Sequence, residues 1–454
     1  MISGFGRRVF GPGGRDLVVI EGDGNERSLH SVAIPAEVKE RLRSALMSRI
    51  DPAAAARLPR NTLKIEIGKL VQEIASEERI ELNESEEGAL ATEIADDMIG
   101  LGPLEPLLDD DAVTDILVNG PFSVFVERRG KLERTGARFR DLQHAVNVAQ
   151  RIASAVGRRI DESSPLVDAR LADGSRVHIA LAPIVLNGVS ISIRKFAKQN
   201  ITFDVMVRQG NISAAMARFL QLAAQVRASI LVSGGTGSGK TTLLNAISRH
   251  IDPGERIITI EDAAELRLQQ PHVVSMETRP PNIEGAGAIP QRELVRNSLR
   301  MRPDRVIVGE VRGAEAFDML QAMNTGHDGS MSTVHANTPR DALARIENMV
   351  LMANTSLPLR AIRTQIASAV DLIVQVQRMR DGIRRVDRIV ELTGMEGEII
   401  TARDLFSFRY TGESRDGIIQ GVFESGRLRP DLLIRAAQYG LEKQVLEAVG
   451  ITEG

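Results

Sequence analysis

The sequence contains no cysteine, which excludes disulfide staples and thiolate-bound zinc or iron–sulfur clusters. It contains no tryptophan, and aromatic residues form only 3% of it, so platforms on which single-stranded bases could stack are scarce. Neither sign of charge dominates: 57 lysines and arginines face 60 aspartates and glutamates, a formal net charge of −3. Nothing global therefore favours a nucleic-acid polyanion as the main ligand. No apolar run approaches the roughly 18–20 residues that cross a bilayer. The opening MISGFGRRVFGPGGRDL has early arginines but no apolar segment behind them, unlike a secretory signal. These absences predict a cytoplasmic chain that takes no nucleic acid directly.

What is present is ordinary globular composition, 43% hydrophobic and 26% charged over 454 residues, enough for two or three domains. Residues 1–32 are rich in glycine and charge and read as a flexible tail. From 33 to 104 apolar residues recur three and four apart, which predicts a helical module. Within it NESEEGALATEIADDMIG suggests a helix starting at Asn83 or Ser85 and stopping at Gly100. Residues 105–196 mix alternating strands with one helix, DLQHAVNVAQRIASAVG, and read as an α+β domain. RRGK is expected to form one hairpin turn there, and Asp173-Gly174 gives the strongest hairpin signal in the chain. A short polar linker, 197–204, follows. From 205 to 454 short apolar runs (ASILVSGG, RIITIED, HVVSMET, RVIVGEVR, GSMSTVHAN) alternate with helices, which predicts an α/β domain with a mainly parallel sheet. Its last 60 residues read as strands followed by short helices.

The most informative segment is ILVSGGTGSGKTTLLNAI. Residues 234–241, GGTGSGKT, fit the phosphate-loop pattern G-x-x-x-x-G-K-[ST], with an apolar strand leading in and an apolar helix leading out. Gly234, Gly235, Thr236, Gly237, Ser238 and Gly239 form a loop whose backbone N–H groups can turn around an anion, and the helix N-terminus adds its positive end. Lys240 is expected to reach the β- and γ-phosphates, Thr241 to ligate magnesium, and Thr242 to lie near the α-phosphate.

Hydrolysis also needs carboxylates that fix the metal and orient water. In RVIVGEVRG the place of the usual metal-holding aspartate is taken by Gly309, and the first acid is Glu310. RIITIED and its continuation AAEL put Glu261, Asp262 and Glu265 at the carboxyl end of another strand, where ligands of open α/β sheets collect. Two strand ends can thus supply what one usually does; the alternative is that these acids merely cap the segments that follow. His327 and His335 lie in TGHDGSMSTVHAN and suit hydrogen bonding to a terminal phosphate or to the acids, against purely structural roles.

Taken in order, GGTGSGKTT, TIEDAAEL, RMRPDRVIVGEVRG and TGHDGSMSTVHANTPRDALARIENM resemble the Walker A, Asp box, Walker B and His box of the secretion-ATPase superfamily, which drives type II secretion, type IV pili and type IV secretion. LGPLEPLLDDDAVTDILVNGP, VERRGKL and DARLADGSRVHIALAP look like its CpaF/TadA branch, which powers tight-adherence (Tad/Flp) pilus systems.

The resemblance implies a RecA-like P-loop NTPase domain, ATP and Mg2+ as ligands, and a homo-hexamer at the inner face of the bacterial inner membrane. It further implies inner-membrane platform proteins as partners, with indirect action on pilin subunits. Arginines of the N-terminal domain are then expected to complete the nucleotide site, and Arg176 in DGSRVHI and Arg194 in SISIRKF are the candidates, with Arg312 and Arg340 behind them. Glu310 is expected to couple the metal and activate water, and Glu261, Asp262 and Glu265 share a second carboxylate role without a ranking among them. The implied function is an ATP-hydrolysing motor that assembles or retracts a pilus; the alternative is a type IV secretion traffic ATPase moving protein or DNA. A DNA motor and a non-hydrolysing nucleotide-gated scaffold are the rival classes.

Overall fold

The computed structural model describes residues 34–55, 58–128, 130–196, 201–279, 281, 286–353 and 356–451. The tail expected over 1–32, Arg129 of the RRGK turn and the first half of the 197–204 linker lie outside the described residues. The chain divides into two compact units, Met1–Glu105 and Pro106–Gly454.

The first unit is helical. Helices Ala36–Arg49, Arg60–Glu78 and Glu84–Ile99 bury Leu42, Leu46, Leu63, Ile67, Val71, Ile74, Leu90 and Ile94 in one core. The spacing of three and four residues along Leu63, Ile67, Val71 and Ile74 puts all four on one face of their helix. The third helix begins with a capping box: Asn83 Oδ1 accepts the Glu86 N–H and Glu86 returns a carboxylate to the Asn83 N–H, both at 2.9 Å. Gly100 ends it.

The second unit contains two sheets. Strands β1 (Val113–Asn119), β2 (Val124–Arg128), β3 (Lys131–Arg134), β4 (Leu166–Arg170), β5 (Arg176–Leu181) and β6 (Val189–Arg194) form an antiparallel sheet in the order β3-β2-β1-β6-β5-β4. Buried and open residues alternate along β6, so one face is covered, and helix Leu142–Ala155 supplies Ala145, Val148, Ala149 and Ile152 to the buried side. Between β4 and β5 the chain turns at Asp173-Gly174; Gly174 has φ +91°, and the Asp173 carboxylate accepts the Ser175 N–H at 2.9 Å.

The remaining strands are β7 (Ile230–Gly234), β8 (Ile257–Glu261), β9 (Val273–Glu277), β10 (Arg305–Val311), β11 (Met331–Val334), β12 (Leu372–Arg378), β13 (Arg384–Glu396), β14 (Ile399–Glu413) and β15 (Ile419–Ser425). They make one nine-stranded sheet in the order β15-β14-β13-β12-β7-β11-β10-β8-β9. From β12 to β9 neighbours run parallel; β13, β14 and β15 continue it antiparallel. β7 and β8 are buried at every position. Ile230 and Val232 enter one core while Leu231 enters the other, so helices cover both faces and the strand must be apolar throughout. This is the RecA-like α/β architecture. All the parallel strands end at one edge, and the loops after β7, β8, β10 and β11 meet there. Among the described residues no helix is long and apolar enough to cross a membrane.

Candidate functional site

The loop after β7 has the conformation that its glycines permit: Gly237 and Gly239 take φ +69° and +97°, backbone angles that strain any residue with a Cβ. Gly239 caps helix Lys240–Ser248, whose first turn leaves the N–H groups of Lys240, Thr241 and Thr242 facing the loop. Lys240 is 8% exposed and its ammonium has three acceptors: Gly234 O and Gly235 O at 3.0 Å and His335 Nε2 at 3.2 Å. Burial lowers its pKa, and the Glu310 carboxylate opposes that shift.

His335 follows β11, which lies between β7 and β10. Its Nε2 lies 3.2 Å from the Lys240 ammonium and 2.9 Å from Glu310 Oε1, so the tautomer decides whether that nitrogen accepts from the lysine or donates to the carboxylate. Burial, then Lys240, lowers the His335 pKa, which favours the neutral ring with a single N–H. Glu310 Oε1 is buried, and apart from that tautomer-dependent contact with His335 it has no hydrogen-bond partner. The other carboxylate oxygen accepts from Arg312 at 2.7 Å, and this bond is the main cause of the raised Arg312 pKa.

The backbone around Glu310 is held by residues that sequence patterns did not single out. Gln291 donates to Glu310 O at 2.9 Å, and Thr333 donates to Gly309 O at 2.8 Å. Gln375, on β12, donates to Ala336 O and Asn337 O and so fixes the chain just after His335. Only their side-chain amides and hydroxyl, placed by the packed sheet and the helix that starts at Gln291, reveal these roles.

The acids of β8 divide. Glu261 is 4% exposed; its Oε1 accepts the N–H groups of Glu265 and Leu266 at 2.9 and 3.1 Å, and burial pushes its pKa up to about 7. Its side chain lies across β10: a Cβ on Gly309 would stand 2.7 Å from Glu261 Cγ. Gly309 thus lacks a side chain because the neighbouring strand fills that space. Asp262 contacts Arg312 at 3.3 Å, and Glu265 contacts Arg176 at 3.1 Å.

Arg176 and Arg194 are paired neighbours on β5 and β6. Arg194 binds Asp115 at 3.1 Å on its own sheet. Arg170, not singled out from sequence, bonds Glu277 at 2.5 Å and the Ala264 carbonyl, so it also holds the antiparallel sheet to the loop after β8. His327 is the exception among the residues chosen from sequence. It precedes β11, its Nδ1 lies 3.2 Å from Ala322 O, and it stands at the opposite end of the sheet from Lys240. The reason is that the four-residue strand β11 separates the two histidines. Arg340 lies in the first turn of helix Pro339–Ala353 and is exposed.

The donors suit magnesium. Thr241 and Glu310 offer hard oxygen ligands, and Glu310 Oε1 is a carboxylate oxygen that no donor other than the His335 ring approaches. Among the described residues no group of three or more acidic or histidine side chains could hold a metal alone.

The family model for "Type II/IV secretion system protein" matches residues 97–401. A Mycobacterium tuberculosis protein named "Putative conjugal transfer protein" is 42% identical over 309 residues, 67% of this chain and 87% of that one. The type IV secretion system protein PtlH of Bordetella pertussis is 37% identical over 324 residues, 65% and 94% of the two chains. The solved VirB11 ATPase of the Brucella suis type IV secretion system, in complex with sulphate, is 31% identical and covers 63% of this chain and 91% of its own, with a TM-score of 0.35.

Proposed function

Because this chain belongs to the type II/IV secretion system protein family, we propose that it hydrolyses ATP to ADP and phosphate as a hexameric motor that assembles or retracts a Tad/Flp-type pilus. The observation that carries the enzymatic part is Glu310 Oε1: buried, held by no donor other than the adjacent His335 ring, and on the same edge of the sheet as the phosphate loop. A carboxylate is costly to keep in that state unless a ligand completes it.

Thr241 and Glu310 would hold magnesium, which supplies charge neutralisation and orientation at the phosphates when bound. The N–H groups of the 234–242 loop hold the phosphate chain, and Lys240 leaves the carbonyls of Gly234 and Gly235 to meet it. His335, kept neutral, can accept from Lys240 in one tautomer or donate to Glu310 Oε1 in the other, and so lies between the two. Glu310 is the general base or the group that orients the attacking water. Glu261 is a scaffold that shapes the loop carrying Asp262 and Glu265. Arg176, and Arg194 beside it, exchange a carboxylate for a phosphate oxygen and stabilise charge that develops in the transition state. Movement of the antiparallel sheet that carries them would transmit hydrolysis to an inner-membrane platform and, through it, to pilin subunits.

The test of hydrolysis is phosphate release from magnesium-ATP. Wild type should turn over, Lys240→Ala should lose both binding and turnover, and Glu310→Gln should bind nucleotide while turnover falls at least about a hundredfold. Full turnover in Glu310→Gln would sink the assignment. A second biological reading, a type IV secretion traffic ATPase, is favoured by the names of the relatives at 37–42% identity. Lys240→Ala introduced into the producing cell separates the two: loss of surface pili supports the pilus motor, and loss of protein or DNA transfer with pili intact supports the traffic ATPase.

A further inference from the structure

The hairpin between β12 and β13 presents an arrangement that the roles given so far leave unexplained. Arg378 and Arg384 are directly opposed across the two antiparallel strands, so two guanidinium groups leave the same face side by side. Like charges in that position repel. Arg170, Arg176, Arg194 and Arg312 each contact a carboxylate, but among the described residues neither Arg378 nor Arg384 does.

Both reach the phosphate loop. Arg384 Nε donates to Gly237 O at 2.9 Å, and its Cδ stands 3.2 Å from the point where a Cβ on Gly239 would lie. Arg378 Nη1 is 3.8 Å from the corresponding point on Gly237, and its Nη2 donates to the Gly130 carbonyl in the β2–β3 turn. The hairpin that carries them is firmly built. Asp381 Oδ1 accepts the Ile383 N–H and Oδ2 the Ile419 N–H, each at 3.0 Å, while buried Arg385 bridges Asp381 at 2.9 Å and the Ile419 carbonyl at 3.1 Å. A like-charge pair held rigidly against an anion-binding loop is stable when an anion lies between the charges.

We propose that Arg378 and Arg384 form a cross-strand clamp on the phosphate chain of the nucleotide held by residues 234–242 of the same chain. The clamp rests on the P-loop reading above and extends it to the side of the loop away from Glu310. The ligand class is a nucleoside di- or triphosphate, recognised by guanidinium hydrogen bonds to its non-bridging oxygens. Arg378 also ties that ligand to the antiparallel sheet through Gly130.

The experiment uses the full chain and fluorescently labelled ADP, with inorganic pyrophosphate as competitor, in wild type, Lys240→Ala, Arg378→Gln, Arg384→Gln and the double Arg→Gln variant. Each single Arg→Gln change should weaken ADP about tenfold and weaken pyrophosphate competition by the same factor. Melting without nucleotide should stay level or rise, since the repulsion is removed, while the ADP-induced shift shrinks; Arg384→Lys, which keeps the charge, should recover part of it. ADP affinity in the double variant within about twofold of wild type overturns the clamp, as does a loss confined to ADP with pyrophosphate unaffected. Lys240→Ala decides the P-loop reading separately: retained ADP affinity there would remove that reading, whatever the arginine variants do.

Discussion

The two flanks of the phosphate loop treat arginine differently. Toward β8 and β10, Arg170, Arg176, Arg194 and Arg312 all rest on carboxylates. Toward β12 and β13, Arg378 and Arg384 rest on backbone carbonyls and on no carboxylate among the described residues. A guanidinium already paired must exchange partners before it can meet a phosphate, and an exposed pair such as Arg176–Glu265 gives up little in doing so. An unpaired one is ready beforehand. The first flank therefore suits a step that occurs during turnover, and the second suits ground-state binding.

The comparison can be broken first at the acids. On folding, the Glu261 pKa rises from its ordinary 4.5 to about 7. As pH climbs through that window the unfolded chain releases this proton before the folded one does. Stability attributable to Glu261 therefore falls between pH 4.5 and 7 and is level above, by about 3 kcal/mol in all. Glu261→Gln retains an oxygen for the two backbone N–H groups and should flatten that slope in denaturant titrations from pH 5 to 8. An unchanged slope would show that the carboxylate is charged across the range.

Gly309→Ala should cost about 1–3 kcal/mol, because its Cβ must displace Glu261 Cγ from 2.7 Å. A urea midpoint equal to wild type would mean that the two strands have room between them. The smallest effect on stability belongs to Arg176→Gln, under about 1 kcal/mol since both partners are substantially exposed. The same change should lower phosphate release at least about tenfold while leaving ADP affinity near wild type. Weakened ADP binding with intact turnover would reverse the roles assigned to the two flanks.

Much of this was legible in the residues themselves. The all-apolar run of β7 followed by glycines and Lys240 gives strand, loop and helix together, because burial on both faces and positive φ leave few alternatives. The capping box at Asn83 and the Asp173-Gly174 turn are likewise local, each made by atoms within three residues. The division of labour among Glu261, Asp262 and Glu265 was not legible, since all three carboxylates follow one strand and differ only in what faces them. Nor was the approach of His335 to Lys240, which depends on β11 pairing with β7 in the sheet.

Residue order alone determined that a phosphate loop exists, that its sheet is mainly parallel and that carboxylates end the neighbouring strands, because these are properties of consecutive residues and their periodicity. Only the tertiary structure decided that β11 stands between Lys240 and Glu310 with His335 Nε2 within reach of both, that Glu261 occupies the place beside Gly309, and that Arg378 and Arg384 reach Gly237 from well over a hundred residues away. Those contacts follow from strand order and from which face each side chain leaves. Both are fixed when the whole core packs, and no short window of sequence contains them.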